Sequence, residues 1–309
     1  MKAPLLRVVV CSSIDGLVPA VKRSLARLQV DVEIEAHSAA DYTTAQKETW
    51  RNARVVLGDP GLVAPLVDGA DSLEFLQSTW AGVDSLVEKS TKRDYVCGKV
   101  SGCFGPLMAE YVFAHLLWRS RSFDLLSRQD DEPEWRQAEL KSAVRPLTGR
   151  KLGFLGAGNI CRHVAKVGKA FGLETLALTS TPLGASGFDR TTTSVADVFA
   201  SSDVVVSALP STPATRYMLD GGVLRAGARA GKTPPLFINV GRGDFISESE
   251  LLQALDAKWL DHAVLDVFAS EPLAATSLAA DVADLFAENL LRFTQKQAIL
   301  YPVDWDRGY

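Results

Sequence analysis

Four cysteines, four histidines and three methionines in 309 residues leave little sulfur or imidazole for chemistry. Cys11, Cys97, Cys103 and Cys161 are scattered, with no CxxC pair and no histidine at ligand spacing. That argues against a zinc site or a disulfide framework and for buried thiols in a reducing cytoplasm. There is no excess of basic residues either. Thirty-three Lys and Arg face 37 Asp and Glu, a net charge of −4, which disfavours a nucleic-acid surface. Long apolar runs are missing too. The longest, around Val204–Val206, is strand-sized, so no membrane span is expected. Met1–Val10 has two basic residues but no long apolar core or small-residue cleavage site, and reads as a first strand.

What is present is the composition of a globular protein, 47% hydrophobic and 23% charged, long enough for two domains. Short apolar runs at Leu6–Cys11, Val32–Glu35, Arg54–Leu57, Leu73–Gln77 and Tyr95–Cys97 alternate with polar or helical stretches. This predicts βα units and a parallel sheet. A segment from Pro106 to Gln129, apolar over a wide surface, predicts a helix buried between two bodies and a crossover between domains. A second, more hydrophobic series predicts strands at Lys151–Leu155, Glu174–Thr179, Asp203–Leu209, Leu236–Val240 and Ala263–Phe268, covered on both faces. Ser194 and the Ser247–Glu250 capping box mark helix starts. A last helix is expected over Asp281–Phe293, followed by a short polar tail.

Three segments carry chemistry. The first is Lys151–Cys161, where Gly156 and Gly158 stand between a strand and a helix. Gly156 permits the tight turn. Gly158 lets the backbone approach a pyrophosphate, whose charge the N–H groups and helix dipole meet. Cys161 replaces the third glycine of the dinucleotide fingerprint and removes no phosphate donor. The loop residues Gly156, Ala157, Gly158, Asn159 and Ile160 are therefore read as cofactor-binding. At the end of the next strand stand Thr179, Ser180 and Thr181 where NAD-specific sites place a carboxylate. Hydroxyls accept a 2′-phosphate and no carboxylate repels it, so NADP(H) is favoured over NAD(H).

The second segment, Gln77–Asp84, follows a strand and has small residues whose successive N–H groups suit a substrate carboxylate. The third is Asn239–Gly243, where Arg242 is flanked by glycines at a strand's C-terminal end and can aim a bidentate guanidinium at a carboxylate and a carbonyl oxygen. Beyond another strand, Leu265–Leu273 puts Glu271 in a loop.

In that order, STWAGVD, FGPLMAEYVFAHLL, LGFLGAGNI, NVGRGDFISESELLQAL and LDVFASEPL resemble the D-isomer-specific 2-hydroxyacid dehydrogenases, especially their glyoxylate/hydroxypyruvate reductase branch. The resemblance covers nearly the whole chain. It implies an α/β architecture in which a Rossmann domain, residues 104–283, is inserted into a flavodoxin-like substrate domain, residues 1–103 and 284–309. It implies reduction of small 2-oxoacids such as glyoxylate or hydroxypyruvate, and usually a homodimer. It places the substrate carboxylate on Trp80, Ala81, Gly82 and Val83 and the 2-oxo group on Arg242. Leu209 and Pro210 lie over the adenosine, Val240 and Asp266 fall near the nicotinamide, and Gly241 counts among the cofactor contacts.

By the same resemblance Glu271 orients a histidine that acts as general acid. That histidine follows the Glu loop in the family, in a strand-then-TPH stretch, and here the stretch is missing: no histidine follows His262. His37 belongs to a surface region, His115 to the crossover helix and His163 to the helix behind the glycine loop, while His262 begins a strand at the end away from the chemistry. All four read as structural or surface residues. The chain is expected to be chemically impaired, or else a dinucleotide-binding protein without turnover.

Overall fold

A computed structural model describes residues 5–37, 46–123, 126, 141, 143–180, 186–228, 231, 233–269 and 279–305. The chain divides into two compact units, Met1–Ser101 with Pro272–Tyr309, and Gly102–Glu271.

In the first unit, β1 (Leu6–Cys11), β2 (Val32–His37), β3 (Val55–Gly58), β4 (Phe75–Ser78) and β5 (Val96–Gly98) form a parallel sheet in the order β2-β1-β3-β4-β5. This is the flavodoxin-like strand order. Central strands β3 and β4 are buried throughout, whereas edge strand β2 is only partly covered, as two-sided packing by helices requires. The helices are α1 (Leu17–Arg27), α2 (Gln46–Arg51), α3 (Pro60–Val67) and α4 (Asp84–Lys89). A last helix (Ala279–Thr294) returns from the far end of the chain to lie along α1. Its Phe286 and Phe293 stack on Phe75 of β4 at 6.4 and 5.3 Å between ring centroids. The buried Asn289 donates to Gln77 Oε1 at 2.7 Å.

The expected polar tail is more tightly held than its composition suggests. Val303 N donates to Cys97 O at 2.8 Å, Gly98 and Pro302 form an antiparallel bridge, and Trp305 packs edge-on against Tyr95 under the Arg93 guanidinium. The backbone of β5's outer edge needs partners, and the tail supplies them.

In the second unit, β6 (Lys151–Leu155), β7 (Glu174–Leu178), β8 (Arg190–Thr192), β9 (Val204–Ser207), β10 (Leu236–Asn239) and β11 (His262–Leu265) form a parallel sheet ordered β11-β10-β9-β6-β7-β8. Counted within the unit this is 6-5-4-1-2-3, the doubly wound dinucleotide-binding order, with its switch point between β6 and β9. β8 was not among the expected strands: three polar residues at a sheet edge carry no apolar signal. β11 is the opposite edge.

Helix α5 (Phe104–Ser120) and α6 (Asn159–Ala170) cover one face of this sheet; α7 (Val195–Ser201), α8 (Val223–Ala226) and α9 (Glu248–Asp256) belong with the other; the returning helix is α10. In α6, Cys161, Val164, Ala165 and Gly168 are buried, a helical stripe facing the sheet. Ser194 and Ser247 cap α7 and α9 by accepting the Asp197 and Glu250 N–H groups.

Helix α5 differs from its sequence expectation. It ends at Ser120 instead of running on to 129, in a polar Arg-Ser-Arg-Ser stretch that puts Ser122 in left-handed backbone. Within its unit only the Ala109, Val112, Phe113 and Leu116 face is buried, while Leu107 and Trp118 stand about half exposed.

Candidate functional site

In the second unit the chemistry-bearing loops leave the C-terminal ends of adjacent strands. Gly156, at the end of β6, has φ +106°, which an L side chain rarely adopts. Gly158 is the residue before α6, and a Cβ added there would meet nothing within 4 Å. The α6 N-terminus, with its outward N–H groups, therefore faces open space.

Leu209, beyond β9, joins this turn to the next loop. A Cβ built on Gly156 would come to 3.0 Å of Leu209 Cδ2, and one built on Gly241 to 2.8 Å of Leu209 O. Gly156, Leu209 and Gly241, remote in sequence, thus meet at the switch point. Pro210 is half-buried beside Leu209, and Val240 is buried after β10. Ala157 and Ile160 are half-buried; Asn159 is exposed in the first turn of α6.

Asn239 organises the arginine loop. Its buried amide accepts from Gly241 N at 3.1 Å and donates to Arg242 O at 2.8 Å. Half-buried Arg242 donates from Nη1 to Gly241 O at 2.8 Å. Gly243 packs directly on the Phe268–Ala269 backbone, leaving no room for a side chain. Asp244 then ties this loop to the one after β9: its carboxylate accepts from Ser211 Oγ and pairs with Arg216 Nε at 3.2 Å. Asp266 donates its N–H to Asn239 O at 3.0 Å. Partial burial, and then the Asp266 carboxylate, raise the pKa of Tyr111 on α5. Asn239, Asp244 and Tyr111 were missed by sequence reasoning. The only local signal for the first two was their place in the NVGRGD string.

Thr179 is half-buried, its N–H on Thr192 O at 2.9 Å, and Ser180 is exposed. Arg162, exposed on the first turn of α6, runs its stem past Gly187 in the chain following β7, at 3.8 Å from a Cβ built there. Thr181 and Glu271 lie outside the described residues.

In the first unit the loop after β4 is braced from below. Buried Asp59, following β3, accepts Ser12 Oγ at 2.6 Å, Ser13 N at 2.8 Å, Ser13 Oγ at 2.7 Å and the Thr79 hydroxyl. Ser78 Oγ accepts Trp80 N at 3.1 Å and donates to Trp80 O at 2.8 Å. Trp80 and Gly82 are half-buried, Ala81 is exposed and Val83 is buried. No hydrogen bond among the described residues takes up the N–H groups of Ala81 and Gly82. Two adjacent unclaimed donors in a braced loop can receive an anion.

Each histidine has its own setting within its unit. His37 is the last residue of β2, and its ring is nearly buried, not at the surface as expected, with Nε2 3.3 Å from Glu35. His115 sits edge-on to Tyr111. His163 Nδ1 lies 3.0 Å from Asn159 O, its ring against Gly105 of α5. His262 is exposed at the N-terminal end of β11, whereas Arg242 and Asp266 follow C-terminal strand ends.

Residues 113–287 match the family model for the D-isomer specific 2-hydroxyacid dehydrogenase, NAD binding domain. Among curated relatives, the glyoxylate/hydroxypyruvate reductase A HPR2 of Arabidopsis thaliana is 29% identical over 231 residues, 73% of this chain and 71% of that protein. A solved D-isomer specific 2-hydroxyacid dehydrogenase family protein from Aeromonas salmonicida is 32% identical, with a TM-score of 0.81 over 97% of this chain and 99% of that one. The NADPH-dependent glyoxylate/hydroxypyruvate reductase of Sinorhizobium meliloti, solved with NADP and sulfate, is 22% identical with a TM-score of 0.77 over 98% and 99%, a likeness of fold. The chain belongs to the D-isomer-specific 2-hydroxyacid dehydrogenases, a family of NAD(P)-dependent oxidoreductases.

Proposed function

We propose that this chain binds NADP(H) in preference to NAD(H) and acts on small 2-oxoacids such as glyoxylate or hydroxypyruvate, with turnover lowered by the lack of a positioned general acid. The observation that carries the binding half is the open α6 N-terminus at Gly158, framed by Gly156, Leu209 and Gly241. A dinucleotide fits there: the diphosphate meets N–H groups with no Cβ in the way. The loop Gly156–Ile160 holds it, Leu209 and Pro210 cover the adenosine, and Val240, Gly241 and Asp266 line the nicotinamide end. When bound, the reduced nicotinamide supplies a hydride to the 2-oxo carbon.

The preference for the 2′-phosphate rests on Thr179, Ser180 and Thr181, which offer hydroxyls, and on Arg162, which offers a charge beside the chain that follows them. It is in keeping with the NADP in the S. meliloti structure. The Ala81 and Gly82 N–H groups, with Trp80 and Val83 shaping the loop, receive the substrate carboxylate. Arg242 binds the 2-oxo oxygen and stabilises the charge that grows there.

Protonating that oxygen is the weak step. The reading is supported by the sequence, in which no histidine follows His262, where the family's acid follows the Glu271 loop. General acid catalysis is worth about 10²–10⁴-fold, and turnover is expected to fall by that factor while binding persists. This same observation supports the second reading, a dinucleotide-binding protein without turnover. The assembly is proposed to be a homodimer using the exposed side of α5, and the buried thiols suit a cytoplasmic setting.

The test joins calorimetry to kinetics. NADPH is expected to bind more tightly than NADH, with Arg162→Gln erasing the difference. NADPH oxidation with glyoxylate or hydroxypyruvate is expected at 10²–10⁴-fold below a histidine-bearing relative. Turnover equal to such a relative overturns the impairment, and tighter NADH binding overturns the cofactor preference.

A further inference from the structure

The sheet of the first unit changes winding direction between β1 and β3, since β2 lies on one side of β1 and β3 to β5 on the other. Doubly wound sheets take ligands in the crevice outside the C-terminal strand ends at that point. Asp59, the residue after β3, stands there. Its N–H donates to Cys11 O, at the end of β1, at 2.9 Å, and the residue is only 6% exposed.

Both of its carboxylate oxygens are filled. Oδ1 accepts Ser12 Oγ at 2.6 Å and the Thr79 hydroxyl, and Oδ2 accepts Ser13 N at 2.8 Å and Ser13 Oγ at 2.7 Å. All four donors are neutral. A buried charge held by neutral groups is tolerated when its lone pairs are taken up this fully. An amide in its place could not do the same. The Ser13 N–H cannot turn round, so the amide oxygen would stay with Ser13 and the NH₂ group would face Ser12 and Thr79. Both hydroxyls would then turn their protons away, and the charge-assisted bond to Thr79 would be lost.

Thr79 carries the effect toward the chemistry. Its N–H donates to Gly58 O at 3.1 Å and its hydroxyl to Asp59, so backbone and side chain are both tied to the end of β3. Ser78 Oγ clasps Trp80 N and O, and Trp80 O also accepts Val100 N at 3.3 Å. The direction of the next two N–H groups, those of Ala81 and Gly82, is thereby set before an anion arrives. Preorganisation of that kind raises affinity by sparing the cost of ordering the loop.

We propose that Asp59 is a positioning residue for the substrate. Acting through Thr79, it presets the Ala81 and Gly82 N–H pair and so governs affinity for the 2-oxoacid, not for the cofactor. This role rests on the reading of those two groups as receivers of the substrate carboxylate. The two effects of the Asp59 carboxylate have opposite signs. By charge alone it repels an incoming carboxylate, and its removal would tighten binding; as a positioning residue, its removal loosens binding.

The probe is oxalate, a two-carbon dicarboxylate, titrated calorimetrically into the full chain with NADPH present, alongside KM for glyoxylate. Slow turnover makes KM a measure of substrate dissociation. Asp59→Asn is expected to weaken oxalate binding about 10–100-fold and to raise KM by the same factor, with kcat changing less and NADPH affinity unchanged. Thr79→Val, which keeps Asp59 and removes one donor, is expected to shift both in the same direction, and Thr79→Ser to recover most of that loss. Should Asp59→Asn melt without cooperativity, the two Thr79 variants decide. Equal or tighter oxalate binding in the folded variants overturns the role of Asp59, as does an equal fall in NADPH affinity, the mark of a damaged fold. A parent protein that takes up neither oxalate nor glyoxylate overturns the carboxylate reading itself, and this role with it.

Discussion

A methyl group added at Gly158 and one added at Gly241 meet opposite surroundings. The first points into open space; the second strikes the Leu209 backbone. Gly158→Ala is therefore expected to fold, losing no more than about 1 kcal/mol at the N-terminus of α6, yet to weaken NADPH binding tenfold or more. Gly241→Ala is expected to cost about 1–3 kcal/mol through overpacking against backbone. Urea titration alongside calorimetry separates the two, and equal NADPH affinity in Gly158→Ala and the parent would contradict the phosphate loop. The two glycines of the turn and Arg242 were legible because each belongs to a compact string. Asp59 was not. Its partners stand 46 or 47 residues before it and 20 after it, and only the sheet order brings β1, β3 and β4 side by side.

At the scale of elements, apolar runs located ten of the eleven strands among the described residues, because central strands of a parallel sheet are covered on both faces and need continuous hydrophobic sequence. β8 escaped for the converse reason, being polar and at the edge. Helix starts were legible where serine caps them. Helix α5 was legible in its start and its apolar character, but it is shorter than expected, ending at Ser120. Its width of apolar surface was read as a helix buried between two bodies, and within its own unit the side bearing Leu107 and Trp118 is open. The proposed homodimer accounts for that surplus. Trp118→Glu is expected to shift sedimentation from dimer to monomer without lowering NADPH affinity. A parent protein that sediments as a monomer removes the dimer, and an unchanged dimer in the variant moves the interface off this face.

For the molecule as a whole, the buried thiols set an alkaline limit. Burial, with Asp59 adding, pushes Cys11 from the usual 9.0 up to about 11; burial pushes Cys161 to about 12 and Cys97 upward as well. Above pH 9 the unfolded chain releases thiol protons that the folded chain keeps. The unfolded state then binds fewer protons, and stability falls as pH rises. Urea midpoints are expected to hold from pH 7 to 8.5 with respect to these groups and to decline between pH 9 and 11, less steeply in Cys161→Ala. A flat profile to pH 10.5 would show that the thiols ionise alike in both states.

The pairing of Asn289 with Gln77 and the stacking of Phe286 and Phe293 on Phe75 have a consequence for biosynthesis. The first hundred residues emerge from the ribosome without the helix that covers β4, and all of Gly102–Glu271 must be made before it arrives. At about 5–20 residues per second that is a wait of roughly 10–30 s. Throughout it Phe75 and its neighbours present an uncapped oily surface, while the intervening unit, continuous in sequence, is free to mature first. Chaperones that shield nascent chains would find their client in the amino-terminal segment, and translation speed through the middle of the message would govern yield.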